Sequence, residues 1–335
     1  MSAFRAIRVD RDEGGDPRAA YVVMDDRDLM AGDVELDVTH SAINFKDGLA
    51  ITGRRPVVRR YPMIPGVDLA GRVTRSTHPD FGPGDLVVGT GCGIGEAHYG
   101  GFAEKARLSG DWLATLPAAL SPDRAMIVGT AGLTAMFCVM ALERHGLTPA
   151  DGPAVVTGAA GGVGSFAVAL LAKAGWRVAA VTGRAREADY LRRLGASEIV
   201  ERDTLSAPGK ALQERRYAAG IDTVGGVTLA NLLAQTTFDG AIAACGNVGG
   251  MELPTSVAPF ILRGVSLLGV ESVRPRIGLR RAAWGRIATD LDPALIDSMG
   301  ETIPFEAALE RARAIVDGAI RGRIVIAIQG AQRDA

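Results

Sequence analysis

The first hundred or so positions read as short strands between turns, and Asp33–Val38 (DVELDV) alternates with the period of two expected of a half-buried strand. Gly71–Thr74 and Leu86–Gly89 read the same way, with GPGD at Gly82–Asp85 as the turn between them. From Ala125 to about Leu262 the pattern changes. Short apolar runs at Ala154–Thr157, Arg177–Val181, Glu198–Val200, Gly220–Val224 and Gly240–Cys245 alternate with segments of helical period. That alternation predicts an α/β architecture, a parallel doubly wound sheet beside a mostly β domain. Beyond Arg263, Ser266–Val270 predicts an edge strand, and Arg281–Leu291 and Glu306–Asp317 predict helices. Ile324–Ile328 predicts a last strand returning to the N-terminal domain. The expected division is 1–125, 126–262 and 263–335, with no internal repeat and no low-complexity linker.

Ala125–Leu142 and Ala154–Ala172 carry no charge and are long enough to raise the question of a membrane span. The second contains a glycine-rich turn, which a continuous lipid-facing helix would not. The first, AMIVGTAGLTAMFCVMAL, has the look of a buried helix beside a parallel sheet, where both faces are covered. No membrane association is expected. The 335 residues suffice for two domains, and the formal net charge of −1 argues against a nucleic-acid partner. Cys92, Cys138 and Cys245 are far apart, form no CxxC pair and read as small core residues, which fits a reducing, cytoplasmic setting. MSAFRAIRVDRDEGG lacks an apolar core, so no signal peptide is expected.

The most informative stretch is VVTGAAGGVGSFAVALLAKAGWRVAAVTGR, Val155–Arg184, which reads strand, glycine turn, helix, strand. Gly158, Gly161 and Gly164 recur at a spacing of three, which allows a tight turn, close approach of a pyrophosphate, and close helix–sheet packing. The backbone of Ala160, Gly161, Gly162, Val163 and Gly164 would hold the phosphates at the helix N-terminus. An NAD site places a carboxylate at the end of the second strand. Here the strand ends in Thr182-Gly183-Arg184, and no carboxylate follows until Glu187. A hydroxyl, a backbone N–H and a guanidinium make an anion pocket, so the expected coenzyme is NADPH, its 2′-phosphate on Thr182 and Arg184.

INFKDGLAITG (Ile43–Gly53), YPMIPGVDLAG (Tyr61–Gly71), GDLVVGTGCGIGEAHYGGFAE (Gly84–Glu104), GTAGLTAMFCVMALE, AGIDTVGG, AACGNVGG and PFILRGVSLLGVES carry a family resemblance. Over nearly its whole length the chain resembles the zinc-free branch of the medium-chain dehydrogenase/reductases, within it the acrylyl-CoA reductase group. The resemblance implies a GroES-like catalytic domain interrupted by a Rossmann domain, a homodimer, and no metal. Zinc-dependent relatives keep a cysteine near Asn44–Lys46 and a histidine–glutamate pair where this chain has Val67-Asp68. It also implies that Phe45, Arg202, Asn247, Phe260, Ile261 and Ser272 contact the coenzyme, with Arg202 near the adenosine phosphate.

The implied reaction is reduction of acryloyl-CoA to propanoyl-CoA by hydride transfer to the β-carbon of an α,β-unsaturated thioester. Quinone or enone reduction is the enzymatic alternative, and a non-catalytic NADPH-binding protein is the third reading. Charge developing on the thioester oxygen needs preorganised donors. Asn44 and Lys46 are candidates for that role, and Tyr99 for delivering the proton. Each has a blander reading: Asn44 as a loop tie, Lys46 in a local ion pair with Asp47, and Tyr99 as a packing aromatic beside the loop residue His98. Arg54, Arg55, Arg59 and Arg60 crowd one loop, and Arg274, Arg276, Arg280 and Arg281 another. Either a charged surface or a site for CoA phosphates accounts for them. If the first loop grips CoA, neutralising Arg54, Arg55, Arg59 and Arg60 together raises KM for a CoA thioester and leaves NADPH binding unchanged. Unaltered steady-state kinetics would remove the loop from the substrate site.

Overall fold

The computed structural model describes residues 3–318 and 320–328. The chain forms fifteen strands and nine α-helices among these residues. In chain order they begin with β1 (Ala3–Asp10), β2 (Arg18–Asp25), β3 (Val34–Ile43), α1 (Phe45–Thr52), β4 (Asp68–Ser76), β5 (Leu86–Thr90), β6 (Lys105–Leu108) and β7 (Leu113–Thr115). There follow α2 (Pro122–Arg144), β8 (Ala154–Val156), α3 (Gly162–Lys173), β9 (Val178–Thr182), α4 (Ala188–Arg193), β10 (Ala196–Glu201) and β11 (Tyr217–Asp222). The remainder are α5 (Gly226–Gln235), β12 (Thr236–Ala244), α6 (Ala258–Arg263), β13 (Ser266–Gly269), α7 (Ile277–Asp290), α8 (Pro293–Asp297), β14 (Gly300–Pro304), α9 (Ala308–Ala314) and β15 (Arg323–Ala327).

Two compact units emerge. One runs to Thr130 and regains the chain over Val273–Ala288 and from Ile296 onward; the other holds Ala131–Ser272 and Thr289–Leu295. The expected boundary at 262/263 moves because β13 pairs in parallel with β12 and so belongs to the second sheet. The first unit carries a β1–β2 hairpin and a sheet in the order β14-β15-β3-β4-β5-β7, with β6 also on β3. In β3, Val34, Leu36 and Val38 are buried alternately, as the period of two required. β15 pairs antiparallel with β3, the return of the last strand. Phe4, Ile7, Leu36, Leu69, Phe102 and Ile326 help form this unit's apolar core.

The second unit is a six-stranded parallel sheet in the order β10-β9-β8-β11-β12-β13. That is the doubly wound order in which ligands bind outside the carboxyl ends of the strands, where the direction of winding reverses. β8 and β9 are buried at every position, which is why their sequences are unbroken apolar runs. α2 is the one described helix long and apolar enough to cross a membrane. Its apolar window is 83% buried inside the protein, as a core helix's would be. The helix is broken at Gly129, whose φ of 44° and ψ of −154° are not helical.

That break accommodates a buried polar network in the first unit. Asp68 on β4 accepts from Asn44 Nδ2 (2.8 Å), Thr130 N (2.9 Å), Thr130 Oγ1 (2.5 Å) and Arg323 Nη2 (3.2 Å). Arg323 also donates to Asn44 Oδ1 (2.8 Å) and to the Ile127 carbonyl (3.0 Å). A Cβ at position 129 would fall on the Asp68 carboxylate, so only glycine fits there. Asp47, also buried, accepts from the N–H groups of Asn44 (2.8 Å), Gly66 (2.8 Å) and Val67 (3.0 Å). Burial, with a smaller push from Asp68, raises its pKa to about 7 despite those donors.

A carboxyl that holds its proton up to about pH 7 when folded, but only to about pH 4 when unfolded, makes stability fall as pH rises through that window and level off above it. Asp47→Asn removes that contribution. Urea unfolding should therefore show the stability of the native protein, relative to the variant, declining from pH 5 to 7 by up to about 1.4 kcal/mol per unit. Parallel stability curves would mean that Asp47 is ionised throughout.

Candidate functional site

In the second unit the turn from β8 to α3 is built from Thr157–Gly161. Gly158 has a φ of +59°, and a Cβ on it would strike Thr223 Oγ1. A Cβ on Gly164 would strike the Gly158 carbonyl, so the first turn of α3 can lie against the strand end only without one. The first N–H of α3 bonded four residues back is that of Ser165, to the Gly161 carbonyl (2.9 Å). The N–H groups of Gly162, Val163 and Gly164 therefore head the helix, which has no acidic residue in its first turn. This is an anion-binding arrangement.

At the end of β9, Thr182 Oγ1 accepts from the Arg184 N–H (3.1 Å), and Arg184 Nη2 donates to the Ala160 carbonyl (3.0 Å). Arg184 thus leans back onto the glycine turn. Arg202, which follows β10, lays its guanidinium over Gly183: a Cβ there would stand 2.8 Å from Arg202 Cζ and 2.9 Å from Nε. Thr182, Gly183, Arg184 and Arg202 are brought together around one spot, and no carboxylate occupies the strand end. Glu187, the nearest acid in sequence, is buried and pairs with Arg186 (3.4 Å).

The other expected coenzyme residues are less uniform. Asn247 is exposed, its Nδ2 against Met251 Sδ (2.7 Å). Ile261 on α6 is 73% exposed, whereas Phe260 beside it packs against the apolar core of the unit. Phe260 and Ser272 are both partly buried. Cys138 is buried, but Cys245 and Cys92 are only partly so, which corrects the expectation of three core thiols.

In the first unit Phe45 opens α1 with its ring 37% exposed. Lys46 does not pair with Asp47, which points inward. Its Nζ donates to Glu96 Oε1 (2.7 Å), a carboxylate side chain only 9% exposed beside a lysine 43% exposed. Asn44 is committed at both ends of its amide to Asp68 and Arg323, so it ties the network rather than facing outward. Tyr99 is partly buried against the core. His98 is buried edge-on to Trp112, its ring nitrogens near the Ala31 and Tyr99 carbonyls. Arg54, Arg55, Arg59 and Arg60 are all exposed, with Arg54 paired to Asp317 (2.7 Å). Arg280 leaves the second arginine cluster: it is buried, donating to the Thr90 (2.6 Å) and Trp112 (3.1 Å) carbonyls and to Cys92 Sγ (3.1 Å).

Reading the sequence did not single out Glu96, Arg323 or Asp222. The one available signal was a charge set against an apolar run, as in GIDTV and RIVIAI.

A profile described as "Alcohol dehydrogenase GroES-like domain" matches residues 30–118, and one described as "Zinc-binding dehydrogenase" matches residues 162–284. The chain is 48% identical over 316 residues to "Probable acrylyl-CoA reductase AcuI" of Escherichia coli (strain K12), covering 94% of this chain and 97% of that protein. The chain belongs to the acrylyl-CoA reductase group of the medium-chain dehydrogenase/reductases. "Acrylyl-CoA reductase AcuI" of Ruegeria pomeroyi, another member, is 47% identical over 96% of this chain and 98% of its own. The crystal structure of the yhdH oxidoreductase from Salmonella enterica in complex with NADP superposes with a TM-score of 0.94. It is 48% identical, covering 97% of this chain and all of that one. In sheets wound this way the end of the second strand is where the adenosine ribose is read, and here that end is Thr182–Arg184. Gly183→Ala, by displacing Arg202, should weaken NADP binding about tenfold and leave NAD binding within about twofold. Calorimetry with both nucleotides checks this, and equal losses would remove Arg202 from the 2′-phosphate.

Proposed function

We propose that this protein reduces acryloyl-CoA to propanoyl-CoA with NADPH. The observation that carries the reading is the basic strand end, Thr182–Arg184 with Arg202 over Gly183, in a unit whose glycine turn suits a pyrophosphate. When bound, NADPH supplies the hydride that reaches the β-carbon of the unsaturated thioester. Within the second unit the backbone from Ala160 to Gly164 would hold the diphosphate, Thr182, Arg184 and Arg202 the 2′-phosphate, and Asn247, Phe260, Ile261 and Ser272 the nicotinamide half.

Hydride addition at the β-carbon would leave an enolate: the charge on its thioester oxygen must be met by a donor, and its α-carbon then takes a proton, from water or from an acid such as Tyr99. Lys46 is the candidate that the geometry favours. Asn44 is occupied at both ends of its amide, whereas an ammonium has three N–H donors and Glu96 takes one. The mechanism we propose uses no zinc: among the described residues no three His, Cys, Asp or Glu side chains come together as a ligand set. The exposed arginine loop Arg54–Arg60 suits CoA phosphates. The free edge of β13, with Leu267 on it and Ile261 and Leu262 exposed on the preceding helix, suits pairing with a second copy in a cytoplasmic homodimer.

NADPH oxidation followed with acryloyl-CoA, crotonyl-CoA and a benzoquinone should give the highest kcat/KM for acryloyl-CoA. A preference for the quinone would replace this reading with a quinone reductase, and no turnover with any acceptor would leave a nucleotide-binding protein. Lys46→Met should lower kcat about 100-fold without changing the Kd for NADPH. An unchanged kcat would remove Lys46 from the thioester oxygen.

A further inference from the structure

Asp222 ends β11 and is fully buried. Its Oδ1 accepts from Thr157 Oγ1 (2.6 Å) and its Oδ2 from the Gly225 N–H (2.7 Å), both neutral donors. Burial pushes its pKa up, and those donors oppose the shift. Such a carboxylate is costly to bury, so its place needs a reason.

The partners supply one. Thr157 is the residue before Gly158, at the start of the glycine turn. Its hydroxyl also accepts from the Thr223 N–H (3.0 Å), and its carbonyl accepts from Thr223 Oγ1 (2.9 Å). On the other side the Asp222 carbonyl accepts from the Cys245 N–H (2.9 Å), at the end of β12. The Gly249 N–H of that same loop reaches the Val224 carbonyl (2.7 Å). Three chain crossings are thereby fastened side by side: those leaving β8, β11 and β12. In the strand order β10-β9-β8-β11-β12-β13 the winding reverses between β8 and β11, and there Asp222 and Thr157 meet.

We propose that Asp222, through Thr157, is a positioning residue for the coenzyme: it fixes the glycine turn against the loops after β11 and β12. This rests on the reading that the second unit binds NADPH. The residue touches no coenzyme atom itself. It sets the spacing between the turn that receives the diphosphate and the Cys245–Gly250 loop on the nicotinamide side, and none of its own side-chain hydrogen bonds reaches the 2′-phosphate pocket at β9. An acceptor at both oxygens is required, because each faces an N–H or O–H donor; an amide would set its NH2 against one of them.

The test compares calorimetric Kd values for NADPH and for adenosine 2′-monophosphate, a probe that carries the 2′-phosphate and lacks both diphosphate phosphorus atoms and the nicotinamide. Asp222→Asn and Thr157→Val should each raise the Kd for NADPH about tenfold and move that for the monophosphate less than about twofold. Thr157→Ser, which keeps the hydroxyl, should restore NADPH binding. Equal weakening of both ligands, unchanged NADPH binding, or a serine variant as weak as the valine one would each overturn the proposal. Failure of the native protein to bind either ligand would instead sink the coenzyme reading, and this inference with it.

Discussion

A guanidinium and a carboxylate, Arg323 and Asp68, lie together inside the first unit at 3.2 Å, both almost without solvent contact. Removing two charges from water is unfavourable, and their attraction offsets that only when every remaining donor and acceptor is matched. The matching organises the region around them. Asn44 bridges the pair at the entrance to α1, Thr130 meets the carboxylate where α2 breaks, and the Ile127 carbonyl takes a further guanidinium proton. β4, β15, α1 and α2 are thus registered by one cluster, and α1 is set so that Phe45 and Lys46 stand at its partly open end. The inward commitment of Asp68 and Asn44 and the outward placement of Lys46 share this cause.

The second unit works through backbone more than side chains. Its turn depends on what is missing at Gly158 and Gly164, and its basic pocket on what is missing at Gly183. Arginine suits that pocket because its planar face can lie on a bare backbone while its edge presents several donors. Arg184 bonding back to Ala160 links the glycine turn to the end of β9.

Much of this was legible in the sequence. The parallel strands were readable because burial on both faces leaves unbroken apolar runs, and the glycine turn because a spacing of three between strand and helix has few other uses. The return of β15 was legible in the β-branched run Ile324–Ile328, but the pairing of β13 with β12 was not, because a short leucine-rich segment does not name its partner strand. Partners of charged residues were not legible. Nothing local places Glu96 beside Lys46 fifty positions away, or Arg323 beside Asp68, because such contacts arise from tertiary approach alone. Arg280 shows the same limit: in sequence it is one of a surface run, and in space it is buried among carbonyls and a thiol. The two kinks of information that sequence does carry, glycine and proline punctuation and apolar period, concern the backbone.

The bare backbone at Gly183 has an evolutionary consequence. Every glycine codon lies a single middle-base change from aspartate or glutamate, and a carboxylate at this strand end is what dinucleotide enzymes use to hold an unphosphorylated ribose. One point mutation would evict the Arg202 face and install the opposite charge in the same stroke. On the reading proposed above, coenzyme preference would hang in part on one bare backbone position, with no rebuilding of the scaffold beneath it.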